Sequence, residues 1–320
     1  MKLCFVAPGV MPIPPTKWGA VEMMLWDYQQ VLSKIDNVDV EIINTQDKNT
    51  ILNKIHSSNF DIVHIHYDVF VDLATKIYGP AVIMSSHYPY INTRSQHKND
   101  GYDKLFMKLV DNRCFHIFAS SQKDVKTFTL GGADPKKIHI SHLGVRKEQY
   151  SYLTEPVYDK TFCFSQIVDR KRQSQIQCIK DVIFSGRVDD STFKKSNNYI
   201  GELTREKLND EITKYSNFVL LSSVENTTPL VVKEAMVCGL GVVVSEDVAC
   251  ELDKDLPFVT VLSEEQIMDI KTVKDAINHN KLISRHYRRE IREYAISKFD
   301  MSNIIKNEYI PLLEKVRLNK

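Results

Sequence analysis

Glu225 and Glu234 bracket the start of an apolar run, Pro229–Cys238, that ends at Gly239. The run has helical character and follows the strand-like segment Phe218–Leu221, so its first turn must lie at the carboxyl end of that strand. Free backbone N–H groups and the positive end of a helix dipole make such a point a site for phosphate. Thr227 and Thr228 offer hydroxyl caps, Pro229 suits the first helical position and Gly239 supplies the stop. Carboxylates near that point repel phosphate but accept hydrogen bonds from sugar hydroxyls. An anion-binding helix flanked by acids is the pattern of a nucleotide-sugar site; a surface helix with two solvated acids is the alternative that these residues leave open.

A second group is Ser165–Arg172, directly after another apolar strand pattern. Its cations Arg170, Lys171 and Arg172 could neutralise a diphosphate leaving group, by point charge or bidentate contact, or could form a solvated turn. A third is Thr16–Glu22, where Gly19 permits close backbone approach at the start of a helix and offers a second anion pole. Trp18 in that loop could stack on an acceptor sugar or simply close the loop. No GxGxxG and no GxxxxGK[ST] occurs, so neither a dinucleotide fingerprint nor a P-loop is present. His64 and His66 alternate on one strand face like a metal pair, but no third ligand stands at a motif spacing. They are read as satisfied strand-end histidines, with no metal site expected. His87, at the end of Ala81–Ser86, is placed to hydrogen-bond a sugar hydroxyl or a reaction intermediate in its neutral form.

The elements that must position these groups form a regular alternation. Strand patterns at Lys2–Ala7, Val38–Ile43, Asp61–His66, Ala81–Ser86, Cys114–Ala119 and Ile138–Ser141 alternate with helical patterns at Ala20–Ile35, Asn49–His56, Val69–Tyr78, Asp103–Asp111 and Gln122–Leu130. The polar stretch Arg146–Lys160 reads as a linker, after which strands at Thr161–Gln166, Val182–Ser185, Phe218–Leu221, Val242–Ser245 and Phe258–Thr260 resume the alternation. Their helices lie at Arg172–Lys180, Arg205–Tyr215, Pro229–Cys238 and Glu264–Ile270, and helical patterns at Lys271–Asn278, Leu282–Lys298 and Ile304–Arg317 follow. This is an α/β chain of two doubly wound Rossmann-like domains, residues 1–150 and 151–300, with a C-terminal helix, 301–320, returning to the first. In such sheets ligands bind beyond the carboxyl ends of the strands, so the two domains should face each other across a cleft.

Composition narrows the class. The 320 residues carry 42 basic and 41 acidic side chains, which argues against a nucleic-acid binder. A hydrophobic content of 43% with 26% charged residues is that of a folded globular chain. The longest uncharged apolar stretch, Ala235–Ser245, falls well short of the ~18–20 residues that span a bilayer. Neither a signal-peptide pattern nor a CxxC pair occurs, and the six cysteines are scattered, so a cytoplasmic, reduced protein is expected. Residues 281–320 hold ten basic and five acidic groups, a face suited to peripheral contact with an anionic membrane or to solvent.

Together these segments resemble the group 1, or family 4, retaining glycosyltransferases of GT-B fold. Trp18–Glu22 resembles the family's Gly-Gly-x-x-Glu loop, Asp61–His66 its third-strand signature, and Ser85–Pro89 its strand-end histidine. Phe118–Val145 is similar to the segment closing the first domain. Phe162–Gln173 resembles the Gly-Arg-x-x-x-x-Lys strand and loop, and Phe218–Glu246 the donor block with its Glu-x7-Glu-Ala-Met core. The resemblance implies that Lys171 binds the donor diphosphate, Glu234 the nucleoside ribose and Glu225 the donor sugar. Leu230, Val231 and Thr228 would meet phosphate near the helix start, Gly19 would line the diphosphate and acceptor side, and His87 would contact the transferred sugar. It further implies a UDP- or GDP-linked donor, no cofactor, no essential metal, a glycan or lipid-linked acceptor and retained configuration. Three departures stand out. Ser165-Gln166 replaces Gly-Arg, leaving Arg170 or Arg172 to substitute for the cation Gln166 lacks. Eight residues rather than seven separate Glu225 from Glu234, so Asn226 could hold the first acidic position. The stretch between Lys171 and the next strand is short. The first two motivate a second reading, a catalytically silent sugar-nucleotide-binding or scaffolding protein of the same fold.

Overall fold

Short segments rich in Val, Ile and Phe leave their backbone N–H and C=O groups to be satisfied by neighbouring strands, and among the described residues every strand ladder is parallel. The structure, a computed structural model, describes residues 1–16, 19–96 and 101–318. One sheet comprises β1 (Lys2–Ala7), β2 (Asp39–Asn44), β3 (Ile62–Ile65), β4 (Ala81–Met84), β5 (His116–Ala119) and β6 (Ile138–Ile140), in the order β2-β1-β3-β4-β5-β6. The other comprises β7 (Tyr158–Phe164), β8 (Val182–Ser185), β9 (Tyr215–Leu220), β10 (Gly241–Ser245) and β11 (Val259–Leu262), in the order β11-β10-β9-β7-β8.

The chain divides into two compact units. The first is built from Met1–Pro15, Gly19–Leu143 and Met301–Lys320, the second on Gly144–Asp300. Within the second, the two-residue period of the strands sends alternate side chains to opposite faces. Phe162, Phe164, Phe218, Leu220, Val242 and Val244 pack with Val232, Ala235 and Met236 on one face. Cys163, Val219, Leu221 and Val243 pack with Ile176, Val273 and Ile277 on the other. Helices therefore cover both faces, which is why these strands read as continuous apolar runs rather than alternating ones. In the first unit Cys4, Val6, Val63, Ile65, Val82, Met84 and Ile117 form one core. On the opposite face Phe5 meets Tyr28 of the Ala20–Leu32 helix and Phe118 meets Tyr309.

Several expected boundaries change, each for a local reason. Val69–Tyr78 forms only a 3-10 turn, Asp68–Phe70, and one helical turn, Val71–Ala74, beyond which β-branched Thr75 and Ile77 and then Gly79 (φ 101) do not favour a longer helix. Arg172–Lys180 shrinks to Gln173–Ile176, since Arg172 adopts a left-handed backbone (φ 57). The break expected after Asn278 falls instead at Tyr287, between Ile270–His286 and Arg288–Phe299. Asn280 holds the longer helix to the sheet: its amide donates to the carbonyls of Val242 and Phe258, at 3.2 and 3.1 Å, and its oxygen accepts from Asn217. The last helical stretch is interrupted by a π-turn at Ile305–Tyr309. The stretch expected as linker already contains the 3-10 turn Lys147–Gln149 and the start of β7.

Candidate functional site

In the second unit four loops meet at the carboxyl ends of β7 and β9. The Asp169–Lys171 turn after β7 is stitched to the loop after β9: the Arg170 carbonyl accepts from the Ser223 N–H at 2.8 Å, and the Arg170 guanidinium donates to the Val224 carbonyl at 3.0 Å. Arg170 Nη1 also lies 2.5 Å from Glu225 Oε1. Glu225 is thus buried and half of an ion pair, and Arg170, expected as a substitute diphosphate cation, is its counter-ion. Arg172 is not spare either, for its fork grips Glu264 at 2.6 and 3.1 Å. Gln166 donates to Asp189 at 2.5 Å, and Asp189 in turn holds Arg187. A Gly-Arg pair thus does occur, as Gly186-Arg187, one strand later; its position after β8 is a signal the sequence offered.

Lys171 differs from its neighbours. Its ammonium has no hydrogen-bond or ion-pair partner among the described residues. Burial lowers its pKa to about 8, against the pull of nearby Glu225. Glu234 also contributes to the field at Lys171.

The expected phosphate helix forms as Leu230–Val237. Pro229 is its cap, with extended backbone and no side-chain capping bond, so neither threonine caps it. Thr228 faces inward instead: its hydroxyl donates to the Val248 carbonyl at 2.9 Å and its N–H to Glu251 Oε2 at 2.9 Å. Thr228 therefore holds the loop and has neither donor left for phosphate. The Glu251 carboxylate also accepts from the Thr227 hydroxyl at 2.5 Å and pairs with Lys233 at 2.9 Å, a lysine with no exposed surface. With the loop so tied, the N–H groups of Val232 and Lys233 turn back to the Pro229 carbonyl, while those of Leu230 and Val231 bond to no described residue. At the other end Gly239 (φ 84) directs its N–H to Met236 and that of Leu240 to Ala235, a Schellman stop. One turn into the helix, Glu234 Oε1 lies 2.6 Å from Arg205, and Oε2 is buried without a partner. Asn226, the alternative first acid position, is buried beside Glu225.

Gly19 and His87 belong to the first unit. Gly19 (φ 126) is the cap of Ala20–Leu32; an added Cβ would lie 3.1 Å from Glu22 Oε2 and 3.2 Å from Pro15. The chain's own carboxylate, buried in the first turn, thus already faces this helix end. Trp18 lies outside the described residues. His87 Nε2 is 3.1 Å from His66 Nδ1, and burial lowers the His87 pKa to about 4, so it is neutral near pH 7. His64 is fully bonded. Ser85 Oγ donates to the Phe118 carbonyl, so it accepts from His64 Nε2, and the Tyr309 hydroxyl donates to Nδ1, both at 2.8 Å. His66 Nε2 is buried and unpartnered. Among the described residues no cluster of three or more His, Cys, Asp or Glu side chains is arranged to hold a metal ion, and no helix is long and apolar enough to cross a membrane.

The sequence matches no family model and no curated protein. Its fold is shared with solved structures along the whole chain. Sucrose-phosphate synthase from Thermosynechococcus elongatus superposes with a TM-score of 0.78 at 11% identity, covering 100% of both chains. HepE from Anabaena in complex with UDP-glucose gives 0.73 at 15% identity, over 98% of this chain and 100% of that one. AviGT4, a glycosyltransferase involved in avilamycin A biosynthesis, gives 0.71 at 14% identity, over 100% of this chain and 98% of that one. At such identities the likeness is one of architecture: this chain has the GT-B fold.

Proposed function

We propose that the protein is a nucleotide-sugar-dependent glycosyltransferase of the group 1, family 4 type, which transfers a sugar to a glycan, lipid-linked or small hydroxylated acceptor with retention of configuration. The observation that carries this reading lies in the second unit. An unpaired ammonium (Lys171), two unbonded N–H groups (Leu230, Val231) and a buried carboxylate with a vacant oxygen (Glu234) stand at the carboxyl ends of β7 and β9. Positive charge and N–H donors suit a diphosphate, and the vacant carboxylate oxygen suits a ribose hydroxyl. Sugar transfer by GT-B proteins, and the UDP-glucose bound by HepE, support the same reading.

The chemistry follows from that charge. As the anomeric C1–O bond to the diphosphate breaks, negative charge grows on the phosphate, where Lys171 and the helix N–H groups stabilise it. The acceptor oxygen bonds to C1 on the face the diphosphate leaves, and its proton passes to the departing phosphate oxygen. On this reading the reaction needs no metal, because the protein supplies the cationic field, and His87 acts as a neutral hydrogen-bonding group toward the transferred sugar. A reducing, cytoplasmic setting with peripheral membrane contact fits six free cysteines and the basic residues after Lys281.

A thermal-shift titration with UDP, GDP and ADP, followed by an assay of nucleoside diphosphate release from the matching donor, tests this. Stabilisation by one of them, with slow release that Lys171→Ala abolishes, is the expected result. No stabilisation by any of the three would overturn it. One observation favours a silent binder of the same ligand: Gln166 is turned to Asp189 and leaves its position without a cation. Binding without release would select that second reading.

A further inference from the structure

Glu234 is, on the reading above, the group that meets the donor ribose, and its surroundings in this chain narrow what it can read. The carboxylate is buried, with only 4% of the residue exposed. Its Oε1 lies 2.6 Å from Arg205 Nη2, whereas Oε2 has no partner. Arg205, the first residue of the Arg205–Glu211 helix, is itself fixed: it donates to the hydroxyl of buried Tyr150, and its guanidinium sits 5.4 Å from the centre of that ring. Drawing the guanidinium aside would strand a buried carboxylate, a strongly unfavourable change.

A ribose presents two adjacent hydroxyls. A carboxylate grips such a pair most strongly with one oxygen on each hydroxyl, and here a planar cation occupies the approach to Oε1. We propose that Arg205 makes Glu234 a reader of a single ribose hydroxyl, through Oε2. The donor site then discriminates sharply against loss of one hydroxyl and tolerates loss of the other, so it accepts one class of deoxyribonucleoside diphosphate nearly as well as the ribonucleoside form. The inference rests on the nucleotide-sugar reading and adds a specificity determinant to it.

Calorimetric titration decides the matter, using whichever of UDP, GDP or ADP binds, together with its 2′-deoxy and 3′-deoxy counterparts. Loss of a hydroxyl from a charged acceptor is expected to weaken binding by at least about 10-fold, and loss of the unread hydroxyl by less than about 3-fold. Two losses of similar size, large or small, overturn the proposal while leaving the nucleotide-sugar reading intact. If none of the three parent nucleotides binds, that reading fails and the inference with it. Arg205→Leu provides the second measurement. With Oε1 released, the tolerated analogue should become discriminated against by about 10-fold relative to its parent. A folded variant that keeps the original asymmetry overturns the role of Arg205; should the variant not fold, the wild-type comparison still decides.

Discussion

A half-buried lysine with no ion-pair partner is held in a costly state, and Lys171 is the described cation of the second-unit site in that state, while Arg170 and Arg172 pair with Glu225 and Glu264. Burial disfavours its charged form, so the ammonium titrates near pH 8 rather than near 10.5. Nucleoside diphosphate affinity should accordingly fall as pH rises through about 8. Lys171→Arg, which stays charged, should flatten that profile, and titration at several pH values checks both. Lys171→Ala should cost roughly 10- to 100-fold in affinity at neutral pH, the range of a charge-assisted hydrogen bond. Lys171, Glu225 and Glu234 were legible as candidates because their spacing places them at strand ends. Their neutralising partners were not: Arg170 meets Glu225 across 55 residues and Arg205 meets Glu234 across 29, distances over which no local pattern runs. A carboxylate's type predicts that it can accept hydrogen bonds, but a remote guanidinium decides whether it still has an oxygen free to do so.

At the scale of elements, the Leu230–Val237 helix shows what patterning can and cannot convey. Its existence and its glycine stop follow from the apolar run and Gly239, and strands such as Lys2–Ala7 and Val182–Ser185 are equally plain. How its first turn is fixed depends on the turn after β10, where Glu251 gathers Thr227, Thr228 and Lys233. Lys233 is the feature an apolar-face reading misses, since a lysine at a core position is unexpected. Lys233→Met would strand the Glu251 charge and should lower stability by about 3–5 kcal/mol. Lys233→Met with Glu251→Gln removes both charges while leaving an amide oxygen for the Thr228 N–H, and most of that loss should be recovered. Chemical denaturation of the two variants tests the pair. The Ile270–His286 helix runs through the break expected after Asn278, and Asn280, a residue type that suits turns, is engaged there with the sheet instead.

At the scale of the whole molecule, titration behaviour is unevenly distributed. The buried histidines His64, His66, His116 and His139 all belong to the first unit, and burial lowers the pKa of each below 6.5. Because the unfolded chain binds these protons first, their contribution to stability is intact above about pH 6.5 and is lost as pH falls toward about 4, the value that His87 and His139 reach. Hydrogen exchange followed from pH 7 to pH 5 should show amides of the first unit losing protection before those of the second; loss in the reverse order would contradict this. The division into two alternating sheets was readable from periodicity alone. The place of Tyr309 was not, because a π-turn shifts the register by which a helical face is read.

The first unit also depends on that late segment: Tyr309 donates to His64, and Ile305, Leu313 and Val316 are buried. On the ribosome these side chains emerge only after all of Gly144–Asp300 has been made. Domains usually fold in the order in which they are synthesised. Here the core of the second unit, drawn from Gly144–Asp300, can be completed during translation, while the first unit must wait, with His64 and the face around Phe118 uncovered, for its last piece. The interval between the two is when this protein would have most need of a chaperone.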